Sequence, residues 1–135
     1  MEKSCDYFLN KGYSCSESVV MGAAAEGLVP EELVNVATPF CGGLGQGCLC
    51  GAVSGAQIVI GYLYGRNKAN IAKALGRKYM EEFKKVHKVT CCKVLTANFK
   101  ENFNSPERKC HCVNMVESSS KILKEILKEA KETVG

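Results

Sequence analysis

The feature that most restricts the fold is an apolar segment at residues 51–64, which lies between a glycine-rich stretch and a strongly basic one. It is too short and, with Ser54 and Gln57, too polar to cross a bilayer, since a membrane-spanning helix needs about 20 apolar residues. Small residues at 51, 52, 55 and 56 recur at helical spacing and allow close contact between helices. The segment therefore predicts a helix buried in the protein core.

The sequence Ser14-Cys15-Ser16-Glu17 indicates a helix start. It is a capping box, in which the Ser14 hydroxyl and the Glu17 carboxylate each accept a hydrogen bond from the backbone N–H of the other residue. A helix is therefore predicted to begin at Cys15, which places this thiol in the first turn.

Apolar periodicity and turn residues predict the other elements. The predicted helices cover residues 4–10, 15–26, 30–37, 51–64, 67–88, a short stretch from 91, and 112–134, with a polar loop at 98–109. The whole chain, residues 1–135, is thus predicted to be an all-α, single-domain bundle of about six helices with a Gly/Cys-rich loop.

Nine cysteines in 135 residues require a chemical explanation. A chain of this length buries enough surface to form a core without covalent crosslinks. The polar N-terminus is followed by no apolar signal-peptide region, so we expect a cytoplasmic, reducing location and no membrane span. In that compartment, adjacent and CxC cysteines indicate metal or redox sites rather than disulfides.

Most of the cysteines lie at or just before a predicted helix start. There, free backbone N–H groups and the helix dipole stabilise a thiolate. Four such starts that meet at one point would form an anion site suited to an iron–sulfur cluster, and the glycine-rich loop at 42–47 would add N–H donors. The cysteines in these positions are Cys15, Cys50, Cys91/Cys92 and Cys110/Cys112.

The cysteine spacing does not identify the metal. The sequence has neither the paired CxxC motifs of a zinc finger nor a ferredoxin cysteine run, and thiolates of adjacent cysteines are better placed to bind different irons of a cluster than one tetrahedral ion. His111, between two cysteines, is either a ligand or hydrogen-bond partner of a cluster or an exposed loop residue. His87 is interpreted as a partner of a helix C-terminal dipole.

The positive charge is concentrated in the middle of the chain. Residues 66–109 contain twelve Lys and Arg against four acidic residues, whereas the net charge of the whole chain is +4. Three interpretations remain open: a solvated helix face, compensation for an anionic cofactor, or a docking patch for an acidic partner or nucleic acid.

The segment Cys50-Gly51-Ala52-Val53-Ser54-Gly55 has the form CGAxxG and follows a glycine-rich stretch. With Gly12-Tyr13-Ser14-Cys15 and two later cysteines, it makes the chain resemble the C_GCAxxG_C_C family of redox-active proteins over roughly residues 8–127. The resemblance implies a small protein with four shared cysteines, related to a domain of split-Soret cytochromes. It implies no particular reaction.

By local context, the four cysteines that the resemblance implies are Cys15, Cys50, Cys92 and Cys112. Cys91 and Cys110 are immediate competitors for the last two positions. The chain departs from the four-cysteine pattern in its additional cysteines, and this favours a larger cluster or two clusters. The additional cysteines are Cys5, Cys41, Cys48, Cys91 and Cys110.

The leading hypothesis is a protein that binds a 4Fe–4S or larger iron–sulfur cluster, or two clusters, and transfers electrons or performs a small reduction there. Whether it is an oxidoreductase enzyme stays open. The candidate cofactor ligands are Cys15, Cys50, Cys92, Cys112, Cys41, Cys48, Cys91 and Cys110. The candidate metal ligands among them are Cys15, Cys50, Cys92, Cys112, Cys48 and Cys110.

Two other classes of function compete with this hypothesis. One is a cofactor-free thiol/disulfide oxidoreductase or sulfur carrier, and the other is a protein that binds zinc or copper(I). The expected partner is a redox protein, with an acidic surface as one option. Nucleic acid is not expected. A homodimer stays open, because the small residues of 51–64 fit a second subunit as well as their own core.

Overall fold

The computed structural model describes residues 3–95 and 106–134, except the side chains of 93, 106–110 and 132–134. The predicted all-α class is confirmed. None of the described helices is long and apolar enough to span a bilayer. The α-helices of the described residues are α1 (Ser4–Asn10), α2 (Cys15–Ala25), α3 (Val34–Ala37), α4 (Gly51–Tyr64), α5 (Ala69–His87), α6 (Cys92–Leu95) and α7 (Pro106–Val134).

Helix α4 lies at the centre of the bundle, as its apolar sequence predicts. Its first six residues are all buried, and it packs against α2, α5 and α7. A Cβ atom added at Gly55 would lie 2.5 Å from the backbone oxygen of Ser16 and 3.2 Å from Cβ of Val19. The small residues of α4 therefore bring it close to α2 within one chain.

A buried hydrogen-bond chain joins three helices near the start of α4. The Tyr79 hydroxyl of α5 donates to Oγ of Ser119 in α7 at 2.6 Å. The Ser119 hydroxyl donates in turn to the backbone oxygen of Ala52 at 2.7 Å. Buried polar groups stabilise a fold only when they are paired, so this chain fixes α5 and α7 against α4.

The predicted start of the last helix is wrong. Helix α7 begins at Pro106, six residues before the predicted start at Cys112, so residues 106–109 are helical rather than part of the predicted loop. Proline is favourable at the first position of a helix because its missing N–H has no partner there anyway. Cys110 and Cys112 consequently lie inside α7. The rest of the predicted loop lies outside the described residues, at 98–105.

Two other predicted helices differ from the structure at their ends. In place of the helix predicted at 30–37, Pro30 has extended backbone, and a 3-10 turn, Glu31–Leu33, is followed by the single α-helical turn of α3. Pro39 lies in a further 3-10 turn, Thr38–Phe40, where its fixed φ is compatible with helical backbone. A 3-10 turn, Arg66–Lys68, precedes α5.

The Ser14→Ala substitution is expected to lower the free energy of unfolding by about 0.5–2 kcal/mol, because it removes the capping oxygen. The predicted capping box is present: Glu17 N–H donates to Ser14 Oγ at 3.4 Å, and Ser14 N–H donates to Glu17 Oε1 at 3.0 Å. Urea unfolding measures the loss. Ser14→Thr keeps the hydroxyl and serves as the control; equal stability of Ser14→Ala and wild type would contradict the capping role.

Candidate functional site

Cys15 lies in the first turn of α2, where the capping box places it. A Cβ atom at Gly51 would collide with Cys15 Sγ and lie 3.2 Å from the backbone oxygen of Phe40. Only a glycine at position 51 therefore leaves room for the Cys15 thiol against the start of α4. This contact joins Cys15 to the CGAxxG segment.

The glycine-rich loop before α4 follows a left-handed path that sequence reasoning did not specify. Gly42, Gly43, Leu44 and Gly45 have φ values of 64°, 63°, 64° and 70°. Such angles suit glycine and cost a residue with a Cβ about 1–2 kcal/mol. A Cβ atom at Gly43 would clash with the backbone of Cys48 and lie 2.9 Å from Cβ of Cys92. The loop thus packs tightly onto the second group of cysteines.

A short antiparallel pairing aligns the loop with the segment before α6. Leu49 and Cys91 form an isolated β-bridge. Cys50 N–H donates to the Thr90 oxygen at 2.7 Å, and Cys92 N–H donates to the Cys48 oxygen at 2.5 Å. The predicted helix start at Cys91 is therefore wrong by one residue, because the backbone of Cys91 pairs with the loop and α6 begins at Cys92.

Cys50, at the N-terminus of α4, lies among other thiols. It is 6% exposed, and Cys92 and Cys112 are 5% and 8% exposed. Burial raises the pKa of Cys50 to about 11; hydrogen bonds from the N–H groups of Ala52 and Val53 oppose this rise, and the charges of Cys92 and Cys112 add to it. These three cysteines, from α4, α6 and α7, therefore interact electrostatically at one end of α4.

Cys15 extends this group toward the surface. A hydrogen bond to the Cys41 thiol, burial, and the charges of Cys50 and Cys41 raise the pKa of Cys15 well above its usual value, while a hydrogen bond from the Gly42 N–H lowers it. Cys41 itself is exposed. The arrangement is a chain of thiols that leads from solvent to the buried cysteines.

We name Cys15, Cys41, Cys50, Cys92 and Cys112 the thiol cluster. Three of the four predicted helix starts carry their cysteine as expected, in α2, α4 and α6. Cys112 reaches the cluster from inside α7 instead, because the helix continues six residues farther toward the N-terminus than predicted. Within the described part of the chain, no three side chains of His, Cys, Asp or Glu are arranged to hold a single metal ion.

The other candidate cysteines have different surroundings. Cys48 is exposed, and the Cys91 thiol donates a hydrogen bond to the Gly47 oxygen at 3.2 Å. The side chain of Cys110 lies outside the described residues. Cys5 lies in the terminal helix α1 as predicted, and burial and the Glu117 carboxylate of α7 raise its pKa.

The two histidines lie close to each other. His111 is in α7, not in an exposed loop, and its Nε2 donates to the Leu95 oxygen at 2.7 Å. His87 ends α5 as predicted, with its ring 4.7 Å from that of Phe83. Burial and the charge of His111 lower the pKa of His87, which weakens the predicted role of a charged dipole partner.

Raising the pH from about 9 to about 11 is expected to destabilise the reduced, metal-free protein by roughly 2 kcal/mol through Cys50. The folded-state pKa of Cys50 is about 11, above the value of 9.0 that is usual for a cysteine thiol, so the folded protein holds this proton more tightly than the unfolded chain does. The stabilisation is complete below pH 9 and is lost as the pH rises through 11. Denaturant unfolding across this pH range measures the loss of stability. Cys50→Ala should lose less stability than wild type over the same range. Identical pH profiles of the two proteins would contradict the assignment of this effect to Cys50.

The family comparison agrees with this geometry. A family model described as "Putative redox-active protein (C_GCAxxG_C_C)" matches residues 13–126, a range that contains every member of the thiol cluster. No curated protein and no solved structure matches the chain. Because the family model covers most of the sequence, the chain belongs to the C_GCAxxG_C_C family of cysteine-motif redox proteins.

Proposed function

We propose that the protein is a cytoplasmic redox protein that binds an iron–sulfur cluster through Cys15, Cys50, Cys92 and Cys112. Cys48 and Cys110 are further candidate ligands. The observation that carries the proposal is the thiol cluster: Cys50 interacts electrostatically with Cys15, Cys92 and Cys112, which come from three other helices. These four cysteines are far apart in the sequence. As soft metal ligands they approach one another only in the folded chain.

The donor set has the chemistry that a cluster requires. Thiolates are the usual protein ligands of iron–sulfur clusters, and different thiolates bind different irons, so three of them need not converge on one ion. When bound, the cluster supplies one-electron chemistry at a potential set by its surroundings. Part of the thiol cluster is buried. Burial and hydrogen bonds from N–H donors set the reduction potential of such a centre.

Backbone N–H donors and the protonation state of the thiols both affect how Cys15 and Cys50 would bind a cluster. The N–H groups of Ala52 and Val53 donate to Cys50, and the N–H of Gly42 donates to Cys15, so negative charge on either sulfur already has partners. The hydrogen bond with Cys41 and burial raise the pKa of Cys15, and burial raises the pKa of Cys50, so both thiols stay protonated in the empty protein at neutral pH. Metal ligation must therefore release protons, and binding is expected to strengthen as the pH rises.

Anaerobic purification or reconstitution tests the proposal. We expect brown protein that contains iron and acid-labile sulfide and is bleached by a chelator together with an oxidant. Colourless protein with no iron or sulfide after reconstitution would contradict it. Colourless protein with stoichiometric zinc would assign the cysteines to soft-metal binding instead.

The contact between Cys15 and Cys41 favours a second candidate, thiol/disulfide exchange. The exposed Cys41 thiolate would attack one sulfur of a disulfide substrate and release the first thiolate. The Cys15 thiol would then attack the mixed disulfide and form a Cys15–Cys41 disulfide, and its proton would pass to the second substrate thiolate as that thiolate is released. The substrate gains two electrons and the protein loses two, so an external dithiol must reduce the protein again.

Disulfide reduction and disulfide mapping separate the two candidate functions. If exchange is the function, metal-free wild type should reduce a small aromatic disulfide and accumulate a Cys15–Cys41 disulfide detectable by peptide mass spectrometry. Cys41→Ser should abolish this disulfide but leave iron and sulfide binding unchanged, because Cys41 is not among the four proposed cluster ligands. Exchange activity that persists in Cys41→Ser would exclude this pair.

A further inference from the structure

An open groove between α4 and α5 has no role in the thiol cluster. Its volume is about 530 Å³, within the range of binding sites in proteins. The lining is mainly apolar, with two cations and no acidic side chain. The lining residues are Leu49, Gln57, Ile60, Gly61, Ala72, Lys73, Gly76, Arg77 and Met80.

We propose that this groove is the docking site for an acidic, amphipathic helix of a redox partner protein. The proposal rests on the proposed redox function and names its partner. Leu49 connects the two sites, because it lines the groove and lies between Cys48 and Cys50 of the cysteine loop. A partner seated there would lie next to the segment that carries these cysteines.

Charge complementarity supports an acidic partner. From Arg66 to Lys88 the chain has eight Lys and Arg against two Glu, a net charge of +6. Lys78 pairs with Glu129 on α7, and Lys85 pairs with Glu82. Lys73 and Arg77, one helical turn apart and both exposed, form no ion pair within the described residues and are available to carboxylates.

The apolar lining favours a helix over nucleic acid. Helix-in-groove recognition places apolar side chains in such a lining and polar ones at its rim. Proteins that bind single strands stack bases on aromatic rings, and the lining of the groove has none. Gly61 leaves its part of the groove open, because a Cβ added there would meet nothing within 4 Å.

The test uses a fluorescein-labelled synthetic helix with Leu on one face and Glu on the other, and fluorescence anisotropy of the full-length protein. Lys73→Glu/Arg77→Glu should weaken binding by about tenfold or more. Lys128→Glu/Lys131→Glu on α7 lowers the net charge equally and should leave binding within about twofold. Raising NaCl from about 50 to about 300 mM should weaken wild-type binding, because exposed charges are screened.

Substitutions of Gly61 that fill the groove test the docking proposal without a change in charge. Gly61→Leu should weaken binding severalfold, whereas Gly61→Ala should not, because the single methyl group enters open space. Equal losses in the two charge-reversal variants, or equal binding of a Leu/Lys helix, would overturn the proposal. So would stronger binding of single-stranded DNA at the same residues, or a wild-type dimer that Gly61→Leu converts to monomer.

The measurement is made with iron-free and with reconstituted protein. The experiment measures peptide binding and not electron transfer. A protein that lacks the docking site does not bind the peptide, whereas a protein that lacks only the cluster still binds it. Peptide binding in both preparations supports the groove even if no iron binds.

Discussion

Replacing Cys50 by serine is expected to lower bound iron and sulfide by more than about tenfold, because even residues that only support metal ligands change affinity by 10–100-fold. Cys50 is the member of the thiol cluster that interacts with Cys15, Cys92 and Cys112. A serine hydroxyl is a harder and far less acidic ligand than a thiol, so it does not replace the sulfur. Iron, acid-labile sulfide and visible absorption per folded protein are the measurements.

Cys5→Ser is the matched control for this substitution. It makes the same atomic change in α1, where Glu117 and Lys121 are the charges that act on the thiol, and should leave iron content near that of wild type. Circular dichroism of both variants separates ligand loss from unfolding. Cys50→Ser with undiminished iron and sulfide would remove Cys50 from the site, and loss of the centre in Cys5→Ser would show that the ranking of the cysteines is wrong.

Two Gly→Ala substitutions in α4 are expected to change stability in opposite directions. Gly55→Ala should lower the free energy of unfolding by about 1–3 kcal/mol, because the new methyl group overpacks the contact with Ser16 and Val19 of α2. Gly61→Ala should raise it by about 0.5–1 kcal/mol, because alanine favours helix and the methyl group meets no other atom.

Urea unfolding of the iron-free proteins tests the pair directly. The two variants have the same composition and the same helix propensity gain, so the difference between them isolates the contact of α4 with α2. Equal changes in stability would contradict the close approach at Gly55. The Gly55→Ala variant should also hold iron less well, since the displaced α2 carries Cys15 at its start.

The amino-acid sequence alone allowed prediction of the features that a few neighbouring residues encode. The capping box at Ser14 is one, because its donors and acceptors lie within a single turn. The helical state of Gly51–Tyr64 and the burial of its first six residues are another, because periodicity and small side chains specify both. The CGAxxG segment likewise indicated the redox family that the family model identifies.

Other parts of the site depend on contacts between distant residues. Leu49 pairs with Cys91, and Cys15 contacts Cys41, and no local pattern of either segment indicates its partner. The left-handed backbone at Leu44 was also not predictable from the sequence, because residues other than glycine rarely adopt a positive φ and nothing in the neighbouring residues indicates one here. Local hydrogen bonds and periodicity determined which segments are helical, but only the tertiary structure decided which thiols meet, because long-range packing sets the distances between helices.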